Sequence, residues 1–383
     1  MKNKITFLSL CWILLMIFIM ACEGPDQPTY TPATDPNPTG RSAAQIDSIV
    51  PQEGYLKDIV HIYGKGFDPV PVNNFISFGT MVAKCLSAST TLLEVVAPNI
   101  NDQTVDVKVA VKGSEFWSNA VQFTFYNTLE VIDEEIVWPN GVAVDNHGNV
   151  YIGSAADGII YQITPDGTKS EFANVPVSGA IEFGPENYLY VCLQHEGKIV
   201  RISPDGSTIE DVVVAESPID FDWDASGNMY IVSNWVGIFR LDSGGNLEEV
   251  ASVDNPKCLR VFGNMLVVSD IWNGNILRYD ITATGLENET VIFTNEDSPP
   301  LGIEFDVEGK LYFSQAWDRS LYAMEPEEGA DVEVLYEDQL MTPMRYLTFY
   351  GKKLYIVFPG WGDVGMTMSA YIGVEQAPNY GRP

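Results

Sequence analysis

Asn149-Val150-Tyr151-Ile152 recurs along the chain as Tyr188-Leu189-Tyr190-Val191, Asn228-Met229-Tyr230-Ile231, Met265-Leu266-Val267-Val268, Lys310-Leu311-Tyr312-Phe313 and Lys353-Leu354-Tyr355-Ile356. Each copy is a short apolar run rich in aromatic and branched residues, bounded by turn formers, which is the composition of a buried strand. Positions 151, 190, 230, 267, 312 and 355 are equivalent in this register. A further apolar strand precedes each copy. A third follows, as in Ile159-Ile160-Tyr161-Gln162-Ile163 and Ile199-Val200-Arg201-Ile202. The turns Pro165-Asp166-Gly167 and Pro204-Asp205-Gly206 lead to a fourth. Four short strands every ~40 residues is the period of a β-propeller, and six copies give six blades across 128–383. Leu129-Glu130-Val131-Ile132 precedes the first full repeat and is expected to complete the last blade and close the ring.

Outward from the repeats, residues 44–127 alternate differently. Ile59-Val60-His61-Ile62-Tyr63, Asn74-Phe75-Ile76-Ser77-Phe78 and Thr104-Val105-Asp106-Val107-Lys108-Val109 have period two and are separated by Gly, Pro and Asn turns. This predicts an antiparallel β-sandwich of Ig size. The segment also resembles the IPT/TIG family. The likeness rests on the opening Ile46-Asp47-Ser48-Ile49-Val50-Pro51-Gln52-Glu53-Gly54, on Ile62-Tyr63-Gly64-Lys65-Gly66-Phe67, and on the closing Ser118-Asn119-Ala120-Val121-Gln122-Phe123-Thr124-Phe125. That resemblance implies an Ig-like fold serving as a spacer or interaction module. The fold class expected for the whole is all-β, an N-terminal Ig-like β-sandwich followed by a six-bladed β-propeller.

The first residues read as an export signal: a basic start at Lys2 and Lys4, an apolar stretch from Ile5, and a small residue at Ala21 before Cys22. Ile19-Met20-Ala21-Cys22 resembles the bacterial lipobox, which implies cleavage after residue 21 and a lipid on Cys22. Residues 22–43 are rich in Pro, Thr and Asp with little to bury, and predict a solvated tether. Glu23 and Asp26 loosely resemble the acidic export signal of surface lipoproteins, so the expected location is the outer membrane facing the cell surface, with the periplasmic face as the alternative. The chain carries 52 acidic against 21 basic residues, net −31, a field that repels nucleic acid and anionic membrane. Cys85, Cys192 and Cys258 fall at unpatterned spacings in strand segments and predict small buried thiols, not a disulfide framework.

Trp138-Pro139-Asn140-Gly141-Val142-Ala143-Val144-Asp145-Asn146-His147-Gly148-Asn149 carries a resemblance of the repeats to NHL propellers and, more distantly, to gluconolactonase and strictosidine-synthase-like propellers. Gluconolactonases imply a divalent metal held by Glu, Asn and Asp at the starts of the innermost strands. Aligning the repeats on Asn140 gives Ser178, Ile219, Lys257, Leu301 and Met344 at the matching positions, with Asp220 and Arg345 one residue out of step. Only Asn140 is a suitable donor. No metal, cofactor or catalytic residue is therefore expected, and the enzymatic question stays open with a lean towards binding.

The loops after the second strands carry more. Five residues beyond the anchors stand His195, Trp235, Trp272 and Trp317, and with one inserted residue Trp361. In a propeller these loops share a face with those entering the inner strands, so these residues should ring one channel mouth with Trp138 nearby. Tryptophan offers a flat apolar face and one N–H donor, suited to stacking on sugar rings. Gln194, Asn234, Asp270, Asn273, Gln315, Asp318, Arg319 and Asp363 are candidate polar partners. The same pattern also fits aromatic wedges packed between blades. The arrangement as a whole resembles surface glycan-binding or accessory lipoproteins of bacterial polysaccharide-uptake systems. It implies a polysaccharide or oligosaccharide ligand, anchorage by lipid, outer-membrane glycan transporter components as partners, and no nucleic acid. The alternatives are a propeller hydrolase, lactonase or lyase acting on carbohydrate, and a protein-interaction scaffold.

Overall fold

Aspartate turns set the rhythm of the blades. Asp145 Oδ1 accepts hydrogen bonds from the backbone N–H of His147 and Asn149, both at 2.9 Å, and its Oδ2 accepts from the Asn149 amide at 2.8 Å. Asp224 and Asp306 repeat the arrangement at the corresponding turns of other blades. A short acceptor that satisfies its own loop lets the chain reverse within a few residues. The strand tyrosine then locks onto that turn, Tyr312 Oη donating to Asp306 Oδ2 at 3.0 Å and Tyr151 Oη to Asp145 Oδ2 at 3.2 Å.

The computed structural model describes residues 39–360 and 365–380. The proposed signal, Cys22, the tether up to residue 38, Trp361 and Asp363 lie outside the described residues. The chain divides into two compact units, one ending at Phe125 and the other beginning at Tyr126.

The first unit is an eight-stranded β-structure with mostly antiparallel pairing. Strand Met81–Ala88 pairs with Asn74–Phe78 on one side and Leu92–Val96 on the other, joining the two halves of the sandwich. Inward residues alternate as the sequence does: Val60, Ile62, Val107 and Val109 are buried. Phe78, Phe123 and Phe125 meet edge to face, with centroids 4.8–5.8 Å apart, a geometry that adds roughly 0.5–1.5 kcal/mol per pair beyond area burial. Gly64 cannot be replaced, because a Cβ there would lie 2.0 Å from the Gln45 carbonyl oxygen.

The second unit is six four-stranded sheets, a six-bladed propeller. The innermost strands run Pro139–Val144, Ile181–Phe183, Pro218–Trp223, Pro256–Phe262, Pro300–Phe305 and Tyr346–Tyr350 in blades 1 to 6. Blade 6 takes its outer strand from the front of the unit: Leu129–Asp133 pairs antiparallel with Met366–Tyr371. Neighbouring blades are stitched by strand-end serines, Ser269 Oγ donating to Leu301 O and Ser314 Oγ to Met344 O, both at 2.7 Å. Cys192 and Cys258 are buried free thiols, and Cys85 is a free thiol only half-buried.

Inside the ring lies a buried charge network. Arg260, in blade 4, is 6% exposed. Its Nη1 reaches Asp220 Oδ2 of blade 3 at 3.0 Å, its Nε reaches Glu304 Oε2 of blade 5 at 3.0 Å, and its Nη2 reaches the Leu347 carbonyl of blade 6 at 3.2 Å. Asp222 of blade 3 accepts from Val261 N of blade 4 at 2.7 Å. Burial pushes the Asp222 carboxyl up, with the Arg260 charge opposing that shift.

Removing the guanidinium would strand two carboxylates in the channel. Arg260→Met is expected to destabilise the propeller by about 3–5 kcal/mol, the scale of breaking a buried pair from one side. Adding Asp220→Asn to it should recover part of the loss. Thermal and denaturant unfolding of the three proteins checks this; an unchanged midpoint in Arg260→Met would remove the network from the stability of the ring.

Candidate functional site

Strand pairing fixes which inner-strand residues share a level. The anchors Tyr151, Tyr190, Tyr230, Val267, Tyr312 and Tyr355 face Ala143, Glu182, Asp222, Arg260, Glu304 and Thr348. Three residues back, at the strand starts, the matching row is Asn140, Gly179, Ile219, Lys257, Leu301 and Arg345. The sequence alignment placed Ser178 and Met344 in this row. Counting back from the anchors gives Gly179 and Arg345, while the equivalent bonds of Ser269 to Leu301 O and Ser314 to Met344 O keep Met344 level with Leu301. Lys257 and Arg345 nevertheless line one cavity. A wall with two cations does not suit a divalent metal, whose site needs converging oxygen donors. No group of three or more His, Cys, Asp or Glu residues is placed to hold a metal ion among the described residues.

The channel is treated differently at its two ends. At the end where the inner strands finish, the chain's last described segment crosses the opening. Asp306 bridges to Gln376, Asn379 Nδ2 donates to Glu182 Oε1 at 3.0 Å, and the Tyr380 hydroxyl accepts from Gly263 N at 3.0 Å. Beside it a hollow of about 730 Å³ opens between the segment, Asp145–His147 and Tyr350. Asp145 is spent on its own turn there.

The other end is where the inner strands begin, and it holds the tryptophans. Trp235, Trp272 and Trp317 are 60%, 69% and 61% exposed, so they stand on the surface and are not wedges between blades. Trp235 and Trp272 meet nearly perpendicular, ring centroids 5.7 Å apart and planes at 72°, forming a corner. Trp235 holds φ at 66°, a left-handed conformation that costs a non-glycine residue of order 1 kcal/mol. The Lys257 ammonium lies 5.7 Å from the Trp235 ring centroid and donates to Asn234 Oδ1 at 2.6 Å. Beside this corner a cavity of about 360 Å³ is lined by Lys257, Ile271, Leu301, Ala316, Trp317, Pro343, Arg345, Tyr346 and Pro359.

Desolvation, reinforced by the charge of Arg345, pushes the Lys257 ammonium down to about 8 from 10.5. The two cations are therefore close enough to repel. Neither has a carboxylate within ion-pair distance among the described residues. Sequence reasoning missed both: Lys257 was read as a failed metal ligand and Arg345 as out of step.

The polar candidates divide. Asn234 sits in the site and positions Lys257. Asp270 is buried and spent on its own loop, accepting from Trp272 N at 3.0 Å and Asn273 Nδ2 at 2.7 Å. Gln315 is buried and accepts from Asn295. Asp318 caps Ser320 N at 2.9 Å, and Arg319 pairs with Asp338 at 3.1 Å and with the Leu340 carbonyl at 2.9 Å. These four support the loops that carry the tryptophans. Gln194 is tied to Ser217 at 3.1 Å. His195 and Trp138 are exposed in loops of blades 2 and 1 and line no part of the cavity.

Comparison with known proteins bears on the fold. The IPT/TIG domain family matches residues 44–125. The chain is similar in structure to a gluconolactonase of Xanthomonas campestris, with 16% identity, a TM-score of 0.55, and coverage of 63% of this chain and 89% of that one. It is similar to a luciferin-regenerating enzyme at 14% identity and a TM-score of 0.55, covering 66% of this chain and 98% of that one. An auxiliary nutrient binding protein of Bacteroides ovatus is similar at 13% identity and a TM-score of 0.51, covering 87% of this chain and 99% of that one. No curated protein matches. At these identities the likeness is one of fold.

The depressed Lys257 ammonium gives a direct chemical readout. Neutral amine is the nucleophile, so acylation of Lys257 by an amine-reactive ester, mapped by mass spectrometry, should rise with a midpoint near pH 8. A midpoint at the ordinary value of 10.5 would mean that the ammonium is fully hydrated there.

Proposed function

We propose that this protein is a saccharide-binding lipoprotein, anchored to the outer membrane through Cys22 and facing the cell surface, which captures a polysaccharide or oligosaccharide at the tryptophan-bearing mouth of its propeller. The observation that carries the reading is the corner of Trp235 and Trp272 beside a cavity edged by Trp317. Large aromatic faces left in water cost hydration free energy, and the left-handed backbone of Trp235 adds to that cost. An exposed cluster held at such expense is characteristic of a binding surface. Sugar rings present C–H faces that stack on indole, while their hydroxyls take hydrogen bonds from the surrounding loops.

The polar groups assigned to support explain how the platforms stay fixed. Asp270 and Gln315 are buried within the loops that present Trp272 and Trp317, and a pre-organised site loses less entropy on binding. In this reading a transporter in the same membrane receives the captured glycan.

Two experiments follow. Trp272→Ala/Trp317→Ala should weaken saccharide binding ~30- to 1,000-fold if each stacking contact contributes about 1–2 kcal/mol and the effects add. Because both rings are exposed, the melting temperature should hardly move. A well-folded double variant that binds its glycan as tightly as the parent would place the ligand elsewhere. Cys22→Ala should leave the signal uncleaved or release the protein from membranes, and a mature N-terminus mapped away from residue 22 would overturn the anchor.

A further inference from the structure

We infer, building on the saccharide reading above, that the ligand is an acidic sugar whose carboxylate lies between Lys257 and Arg345 while a ring face rests on an adjoining tryptophan. The inference starts from a charge imbalance. Acidic residues outnumber basic ones by 52 to 21 in this chain, so a basic group has many carboxylates available. Arg260 has two, and Lys169, Lys198 and Arg319 are each paired. Lys257 and Arg345 line one cavity at the channel mouth with no such partner among the described residues, near enough to repel. Folding alone gains nothing from holding two cations together beside apolar walls. An anion entering between them removes the repulsion and gains from the low local dielectric.

The shape of the surroundings narrows the anion. Arg345 offers a planar fork that matches a carboxylate bidentately, and Lys257 offers a point charge. Ile271, Leu301 and Trp317 form apolar wall around them, which suits the C–H face of a ring and does not suit a fully hydrated free anion. A carboxylate attached directly to a pyranose ring satisfies both demands within one residue, which is the chemistry of a uronic acid. The overall negative field of the protein disfavours acidic polymers at long range, so the discrimination must be local and must reside in these two side chains.

The test uses the full chain and three probes: oligogalacturonate, oligomannuronate and a glucuronate-containing oligosaccharide, each beside its carboxyl-reduced neutral counterpart. Calorimetric titration should show at least one acid form bound about tenfold or more tightly than its reduced form, the scale of a charge-assisted hydrogen bond. Lys257→Gln and Arg345→Gln should each lower that acid-to-neutral ratio about tenfold, and Lys257→Arg should restore it. A readout independent of any variant is protection: the bound acid should shield Lys257 from acylation, and the reduced form should do so less. Equal binding of acid and reduced forms, or binding of neutral saccharides alone, would overturn the acidic assignment and leave saccharide binding standing. Failure to bind any saccharide on a broad glycan panel would bring down both. Acid preference that persists in the Lys257→Gln/Arg345→Gln double variant would place the carboxylate elsewhere and overturn the inference.

Discussion

One guanidinium ties the propeller together across its axis. Arg260 belongs to blade 4 and bonds to side chains of blades 3 and 5 and to the backbone of blade 6. Six sheets arranged radially leave their inner edges converging on a narrow space where main-chain and side-chain polar groups must find partners without water. A long cation with five donors in a fixed plane satisfies several acceptors on different blades at once. Serine hydroxyls at the second-strand ends and the antiparallel closure of Leu129–Asp133 on Met366–Tyr371 do the same work nearer the rim.

That constraint sorts the two faces of the ring. The final described segment crosses one end of the channel, with Tyr380 and Ala377 packed against the cores of the blades. Among the described residues no such strap crosses the other end, which carries the aromatic platforms. Support and display are separated within the same loops. Asp270, Gln315, Asp318 and Arg319 turn inward or sideways to fix the backbone, and the indoles of Trp272 and Trp317 face solvent. Charge follows the same division: Arg260 is neutralised by acids in the channel, and Lys257 and Arg345 stand at the mouth without that compensation among the described residues.

Much of this was legible in the chain. The blades, their count and the closing strand follow from a period-40 pattern, because each repeat must form four short strands and cannot bury its faces alone. The placement of the tryptophans in the loops after the second strands was legible too; that Trp235, Trp272 and Trp317 face solvent and do not wedge between blades is a property of the folded ring. The register of the inner strands was not legible. Blades 1, 3, 4 and 5 carry a bulge near the start of the inner strand, and blades 2 and 6 pair without one, a difference that only the folded sheet displays.

Local sequence thus determined what is local: strand runs with aspartate turns, alternation of apolar residues in the Ig-like unit, and the residue types carried by each loop. Tertiary structure decided what depends on distance between blades. Asp220, Arg260 and Glu304 lie 40 and 44 residues apart in the chain and form one network. Lys257 and Arg345 become neighbours because the ring brings blades 4 and 6 around a common axis. Electrostatic interaction falls with separation in space and is indifferent to separation in sequence, so the pairing of these charges became visible only when the ring closed.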